Sequence, residues 1–324
     1  MEDALLLALQ LLSATIRVAT PLVLAAFAGM YCERSGVVDI GLEGKMLAGA
    51  FFSAAVASTT LNPWLGLLAG IAAGVALALV HGFACITHNG NQVVSGMAIN
   101  ILVAGLAPTL AYAWFQQGGQ TPLLPNQARI PAVELPGVDG LAGVPVLGLV
   151  YRELLNGNNV LIWVTLVVVI ATQWVLYRSR FGLRLRAVGE NPAAVDTAGL
   201  SVTKLRYQAL LVTGALTGMA GSYLSTGHGA GFVRDMTAGK GYLALAALIF
   251  GKWRPGPTLF ACLLFAFTDA VQVRLQGVEL PGIGVIPVQF IQMLPYVLTV
   301  LLLAGFVGKA VAPKASGIPY VKER

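Results

Sequence analysis

Apolar residues fall in nine runs, at 5–31, 46–60, 64–87, 92–115, 158–178, 207–227, 238–251, 256–273 and 288–307. About 20 apolar residues in a helix cross the roughly 30 Å hydrocarbon core of a bilayer, and a helix satisfies its own backbone polar groups there. The pattern predicts an all-α polytopic membrane protein of about nine transmembrane helices. Several runs are short or broken by Gly and Pro, so the expected range is about eight to ten. A single transmembrane domain accounts for residues 1–324. Two runs also carry a small residue at every fourth position, Gly66, Gly70, Gly74, Ala78 and Gly82 in one and Gly214, Gly218 and Ser222 in the other. Such faces let helix backbones approach closely, because lipid supplies no hydrophobic drive between helices.

Composition agrees with the pattern. Only 10% of the residues are charged and 57% are hydrophobic, against roughly 25% charged in soluble domains. The net charge of +6 does not point to nucleic acid, because the basic residues gather at the ends of apolar runs. Their distribution sets the orientation. The 178–206 loop holds six Lys and Arg against Glu190 and Asp196, a net of +4, whereas the 116–157 loop holds Arg129 and Arg152 against Glu134, Asp139 and Glu153, a net of −1. The first is cytoplasmic and the second external. Alternation then places Lys252, Arg254 and the 308–324 tail inside and Glu279 outside, with Glu33, Arg34 and Lys45 near the inner face and the acidic N-terminus outside. The start MEDALLLALQ lacks the basic n-region of a cleavable signal peptide. Cys32, Cys85 and Cys262 occur singly and read as buried small hydrophobes. His81, His88 and His228 share no metal-ligand spacing.

Within the basic loop lies a short helix with start and stop signals. Asn191 suits the N-cap, Pro192 the first helical position, and Gly199 the residue past the end. A two-turn helix between spans has no core of its own, and Ala193, Ala194, Val195, Ala198 and Leu200 offer a small apolar knob to a partner. Polar residues also occur at membrane depth. Asp39 and Glu43, four apart and expected on one helical face, interrupt the first apolar block among Gly36, Gly41 and Gly44. Either 33–45 is a solvated cytoplasmic connection, or it is a broken helix bordering a solute path, where irregular backbone is tolerated. The echo of E43-GKMLAGAFFSAAV in A238-GKGYLALAALIFG favours the broken helix, since internal repeats are common in transporters. Gln92 and Asn100 are further candidates for the path, with interhelical hydrogen bonding as the plainer role.

No phosphate loop is present, because the Gly-Lys pairs at 44–45, 239–240, 251–252 and 308–309 are followed by Met, Gly, Trp and Ala. No Gly-x-Ser-x-Gly, His-Glu-x-x-His or Cys-x-x-Cys supports an enzyme, so no catalytic and no metal-binding residue is assigned.

The residues GENPAAVDTAG at 189–199, preceded by FGLRLRAV and followed by LSVTKLRY, resemble the cytoplasmic loop of bacterial ABC importer permeases of the simple-sugar, nucleoside and branched-chain amino acid group. ERSGVVDIGLEGKMLAGAF at 33–51 most resembles the nucleoside permeases linked to BMP-type lipoproteins. The resemblance covers the chain in segment order. Two departures stand out: the chain begins at what would be the second span of sugar permeases, and a Gly-Gly-rich turn is replaced by IFGKWRPGP at 249–257. The resemblance implies a permease subunit of the bacterial inner membrane that moves a nucleoside or related small polar solute by alternating access. It implies a second permease, a heterodimer being expected, a solute-binding protein outside, and a cytoplasmic ATPase that carries ATP and Mg²⁺, with no cofactor on this chain. Gly189, Asn191, Pro192, Ala193, Ala194, Asp196 and Gly199 become the ATPase-coupling segment, and Asp39, Glu43, Asn100 and Gln92 fall along the translocation path. The competing reading is an ion-coupled secondary transporter with Asp39, Glu43 and Asp269 as coupling groups.

Overall fold

The computed structural model describes residues 2–136, 145–275, 279–280, 284–285, 288–293, 297, 300–301 and 310–322. Most of the expected span at 288–307, together with Asp139, Lys309 and Arg324, lies outside the described residues. In chain order the helices are α1 (Glu2–Arg34), α2 (Leu42–Thr60), α3 (Pro63–Gly82), α4 (Gln92–Phe115), α5 (Pro145–Val150) and α6 (Val160–Arg178). They continue with α7 (Arg180–Glu190), α8 (Pro192–Thr197), α9 (Val202–Ser222), α10 (Lys240–Phe250), α11 (Pro255–Leu275) and α12 (Val288–Gln292). Single π-helical turns extend α3, α5 and α9. The described strands are two-residue pairs, so the chain is all-α as expected.

Among the described residues five helices are long and apolar enough to cross a membrane: α1, α3 with its π turn, α4, α6 and α11. The expected count of about nine is therefore not reached by length and composition alone. α2 and α9 carry charge in their first turns, and both bury most of their residues. α10 has 11 residues, a rise of about 16 Å, or half a bilayer. It follows an irregular stretch.

α9 runs through the centre, flanked by α1, α2 and α3. The two small-residue faces meet each other. A Cβ at Gly74 would lie 2.3 Å from the carbonyl oxygen of Gly214, and one at Gly218 would lie 2.4 Å from that of Gly70. These backbones touch without intervening side chains, which is the packing the four-residue period predicts. The main apolar core gathers around α1, where Leu22, Leu24, Phe27 and Met30 are fully buried against Leu248 of α10 and Phe265 of α11. All three cysteines are buried, as expected.

The segment after α4, at 116–136, is knit to the segment after α9 and to the start of α6. Thr121 and Phe232 exchange hydrogen bonds, Leu124 N donates to Ala230 O at 2.9 Å, and Ala132–Val133 pairs with Asn158–Asn159. The Thr121 and Leu124 bonds tie the chain leading toward α10 to the segment after α4.

Candidate translocation site and coupling loop

Between α1 and α2 the chain is irregular from Ser35 to Gly41. Asp39 sits in that link, whereas Glu43 is in the first turn of α2, so the two do not share a helical face as expected. The solvated connection also fails. Glu33 is 7% exposed, and Asp39 and Lys45 are not exposed at all. Asp39 pairs with Lys45, the second Asp39 oxygen accepts from Gly41 N at 3.0 Å, and His81 lies 4.0 Å away. Burying two charges is costly unless each finds a partner with good geometry, and here each does. His81 bridges Val38 O at 3.1 Å and Ser95 Oγ at 3.0 Å, a structural role. Gln92 accepts from Val38 N at 2.6 Å, while its Nε2 has no partner among the described residues. Asp39 and Gln92 thus brace the link.

Glu43 and Asn100 are placed differently. Glu43 Oε1 accepts from Gly239 N at 2.8 Å and Oε2 from Gly241 N at 2.6 Å, so its carboxylate caps the N-terminus of α10. Orphan amides and the helix dipole favour a negative charge at that end. Asn100, on α4, accepts from Gly44 N at 2.8 Å and donates to Ile40 O at 3.0 Å and Tyr242 Oη at 2.8 Å. The N-termini of α2 and α10, each begun by one copy of the Gly-Lys echo, are therefore joined through one carboxylate and one amide. Beside them lies a cavity of about 360 Å³ bordered by Glu43, Asn100, Asp235, Thr237 and Tyr242, with Met97 and Ile101 on its apolar side. Of the four candidate path residues, the structure brings Glu43 and Asn100 together there. Tyr242 was not anticipated, because nothing in the sequence sets it apart from other aromatics in spans.

Asp39, Glu43 and Asp269 do not converge. Asp39 is paired, Glu43 caps α10, and Asp269 borders a separate cavity of about 620 Å³ with Arg17, His228 and Lys240.

The 178–206 loop holds more helix than expected. α7 turns back after Ser179, whose Oγ accepts from Gly182 N at 3.0 Å. α8 then forms with the caps read from the sequence: Asn191 Oδ1 accepts from Ala194 N at 3.1 Å, Pro192 occupies the first turn, and Gly199 takes φ +79°. The expectation that this helix buries nothing is corrected. Val195 packs with Val188, Val202 and Leu205, and Leu200 joins them, so the outward apolar surface narrows to Ala193, Ala194 and Ala198. Arg206, counted among the loop's basic residues, is 1% exposed and donates to Ser35 O and Ile318 O at 3.3 Å each. The tail staples this region: Ala315 N donates to Gly189 O at 2.8 Å, Gly317 N to Gly36 O at 3.1 Å, and Lys322 lies 3.4 Å from Asp196. Gly36 has φ +83°, and a Cβ at Gly189 would lie 2.3 Å from Arg34 O, so both glycines are needed for this close seam.

The departure at IFGKWRPGP also has a structural role. Lys252 and Trp253 both adopt φ +53°, a conformation that costs on the order of 1–3 kcal/mol for a non-glycine residue. The turn is held by Arg34, which donates to Trp253 O at 3.0 and 2.6 Å, and by Glu33, which accepts from the Trp253 indole. The start of α11 is thereby clasped to the end of α1. Nothing local in the sequence marks this pairing across 220 positions.

Comparison with known proteins closes the assignment. The family model for the permease component of branched-chain amino acid transport systems matches residues 11–312. The chain is 38% identical over 318 residues to the guanosine ABC transporter permease protein NupQ of Bacillus subtilis, covering 95% of each. It is 37% identical over 314 residues to the nucleoside ABC transporter permease protein NupC of Lactococcus lactis, covering 94% of each. A second nucleoside ABC transporter permease protein of that organism, NupB, is 22% identical over 94% of this chain and 82% of its own. With five membrane-length helices among the described residues, the chain belongs to the family of branched-chain amino acid transport system permease components, as a multi-pass permease subunit of an ABC importer in the bacterial inner membrane.

Proposed function

We propose that this chain is one of two different permease subunits of a nucleoside importer. The observation that carries the reading is the junction of the α2 and α10 N-termini at Glu43 and Asn100, beside a cavity with carboxylate, amide, hydroxyl and phenol groups. Transporters place binding sites where discontinuous helices end near mid-membrane, and these groups match the hydrogen-bonding edges of a base and a ribose. The nucleoside and guanosine permeases among its relatives support that substrate class. The two nucleoside permeases of Lactococcus lactis, 37% and 22% identical to this chain, support a heterodimer. The exposed face of α4, with Met97 40% and Ile101 70% exposed beside the cavity, is where the second permease closes the path. We count α2, α9 and the apolar run at 288–307 as the remaining full crossings, with α10 entering only part way.

α8 docks through Ala193, Ala194 and Ala198 on a separate ATPase, which binds ATP and Mg²⁺, and an external solute-binding protein delivers the nucleoside. Closure of the ATPase dimer shifts the population between outward- and inward-open states. The test is reconstitution with an ATPase, a second permease and a binding protein of a nucleoside importer from the same organism, scored over nucleosides, pentoses and hexoses. Nucleoside uptake that requires ATP is expected. Uptake driven by an ion gradient without the ATPase overturns the importer mechanism, and uptake of sugars alone overturns the substrate class.

A further inference from the structure

At the end of the helices that carries the basic loop, a cleft of about 760 Å³ opens between α1, α6, α7 and the link into α11. Three guanidinium groups line it, those of Arg34, Arg186 and Arg254, together with the Gln173 amide and the Tyr177 phenol. Among the described residues no carboxylate forms an ion pair with any of the three; Glu190 is felt electrostatically by Arg34 without pairing to it, and Glu33 is engaged by Trp253. Arg34 is held in place by its two hydrogen bonds to Trp253 O. Arg186 lies over the Tyr177 ring at 4.8 Å, and its Nε is buried with no hydrogen-bond partner among the described residues. An unsatisfied buried donor costs on the order of 1–3 kcal/mol, more when charged, so three gathered cations with a spare donor call for an anion.

The surroundings say which anion. Ile170 forms a wall of the cleft and continues on α6 into an outward apolar ridge, with Val167 63%, Ile170 63% and Trp174 62% exposed. Pro255 and Pro257 supply the opposite apolar wall. A free phosphate has no use for such walls, whereas a phospholipid lays its acyl chains along the ridge and its phosphate among the guanidinium groups. Guanidinium binds phosphate through paired N–H donors, and basic pockets between helices at the cytoplasmic face take anionic headgroups. We infer that this cleft binds the headgroup phosphate of an anionic phospholipid of the inner leaflet. The bound lipid ties α7, the arm leading into α8, to α1 and α11, and so steadies the segment on which force from the ATPase arrives. That last clause rests on the coupling reading of α8; binding itself does not.

The test uses the full-length chain, purified in detergent and delipidated, with phosphatidylglycerol, phosphatidylcholine or inorganic phosphate added back. Native mass spectrometry reads bound lipid and thermal unfolding reads stabilisation. Phosphatidylglycerol is expected to remain bound and raise the unfolding midpoint, with neither effect from phosphatidylcholine or inorganic phosphate. The R186Q/R254Q double variant is expected to lose at least tenfold in lipid affinity. R254Q alone, in an exposed link, gives a partial loss and covers the case in which the double variant fails to fold. R180Q/R184Q removes the same amount of charge from α7 outside the cleft and is expected to bind as the parent does. Equal loss in R180Q/R184Q, equal response to phosphatidylcholine, or equal stabilisation by inorganic phosphate at millimolar concentration overturns the assignment.

Discussion

Asp39 and Lys45 are both fully buried and satisfy each other, so each protects the other from an uncompensated charge. Lys45→Met leaves the Asp39 carboxylate without its cation, and breaking a buried pair costs about 3–5 kcal/mol. A large fall in unfolding midpoint and yield is expected in detergent, and most of it should return in the Asp39→Asn/Lys45→Met double variant. A single variant as stable as the parent would refute the pairing. Glu43 behaves otherwise, because its carboxylate accepts two backbone amides of α10. Glu43→Ala frees the α10 N-terminus, and transport is expected to fall at least tenfold while insertion persists. Glu43→Gln keeps one acceptor oxygen and should fall between the two. These residues were legible as unusual in the sequence, being charges inside an apolar block. Their division into a paired brace and a helix cap was not, since it depends on partners 6 and up to 198 positions away.

At the scale of elements, the small-residue faces of α3 and α9 were fully legible, because a four-residue period marks one side of a helix whatever lies opposite. Gly74→Leu places its side chain where the Gly214 carbonyl oxygen already stands 2.3 Å from the Cβ position. The helices must part, and loss of monodisperse protein on size exclusion is expected, whereas Gly105→Leu, with open space around its Cβ, should purify normally. α8 was legible through its caps, since Asn, Pro and Gly act within a few residues of themselves. Which of its side chains face outward was not, because the cluster that buries Val195 includes Val202, Leu205 and Tyr320 from outside the helix. Ala194→Arg adds bulk and charge on the outward face. It should abolish substrate-stimulated ATP hydrolysis by the assembled importer without altering insertion; unchanged transport would remove α8 from the coupling role.

At the scale of the molecule, the end of α1, the loop carrying α7 and α8, and the described tail at 310–322 form one seam through Gly36, Gly189, Arg206 and Ala315. The loop carrying α8 is therefore packed continuously against the link that precedes α2, which leads on to Glu43. Ending the chain before Pro313 removes the hydrogen bonds made by Ala315, Gly317 and Ile318. ATP hydrolysis by the complex is then expected to continue while uptake per ATP falls several-fold. Full coupling in the truncated protein would show that the tail is dispensable to coupling.

The sequence by itself determined what depends on local or periodic chemistry: apolar runs, small-residue faces, helix caps and the echoed Gly-Lys starts of α2 and α10. Only the tertiary structure decided which charges are buried, why five helices rather than nine meet the length and hydropathy of a span among the described residues, and how the two echoed helix starts meet. The reason is physical. Propensity, capping and hydropathy act over a turn or two of chain, whereas a buried charge is stabilised by partners that only folding brings near. Here those partners are the indole of Trp253 for Glu33 and the carbonyls of Ser35 and Ile318 for Arg206.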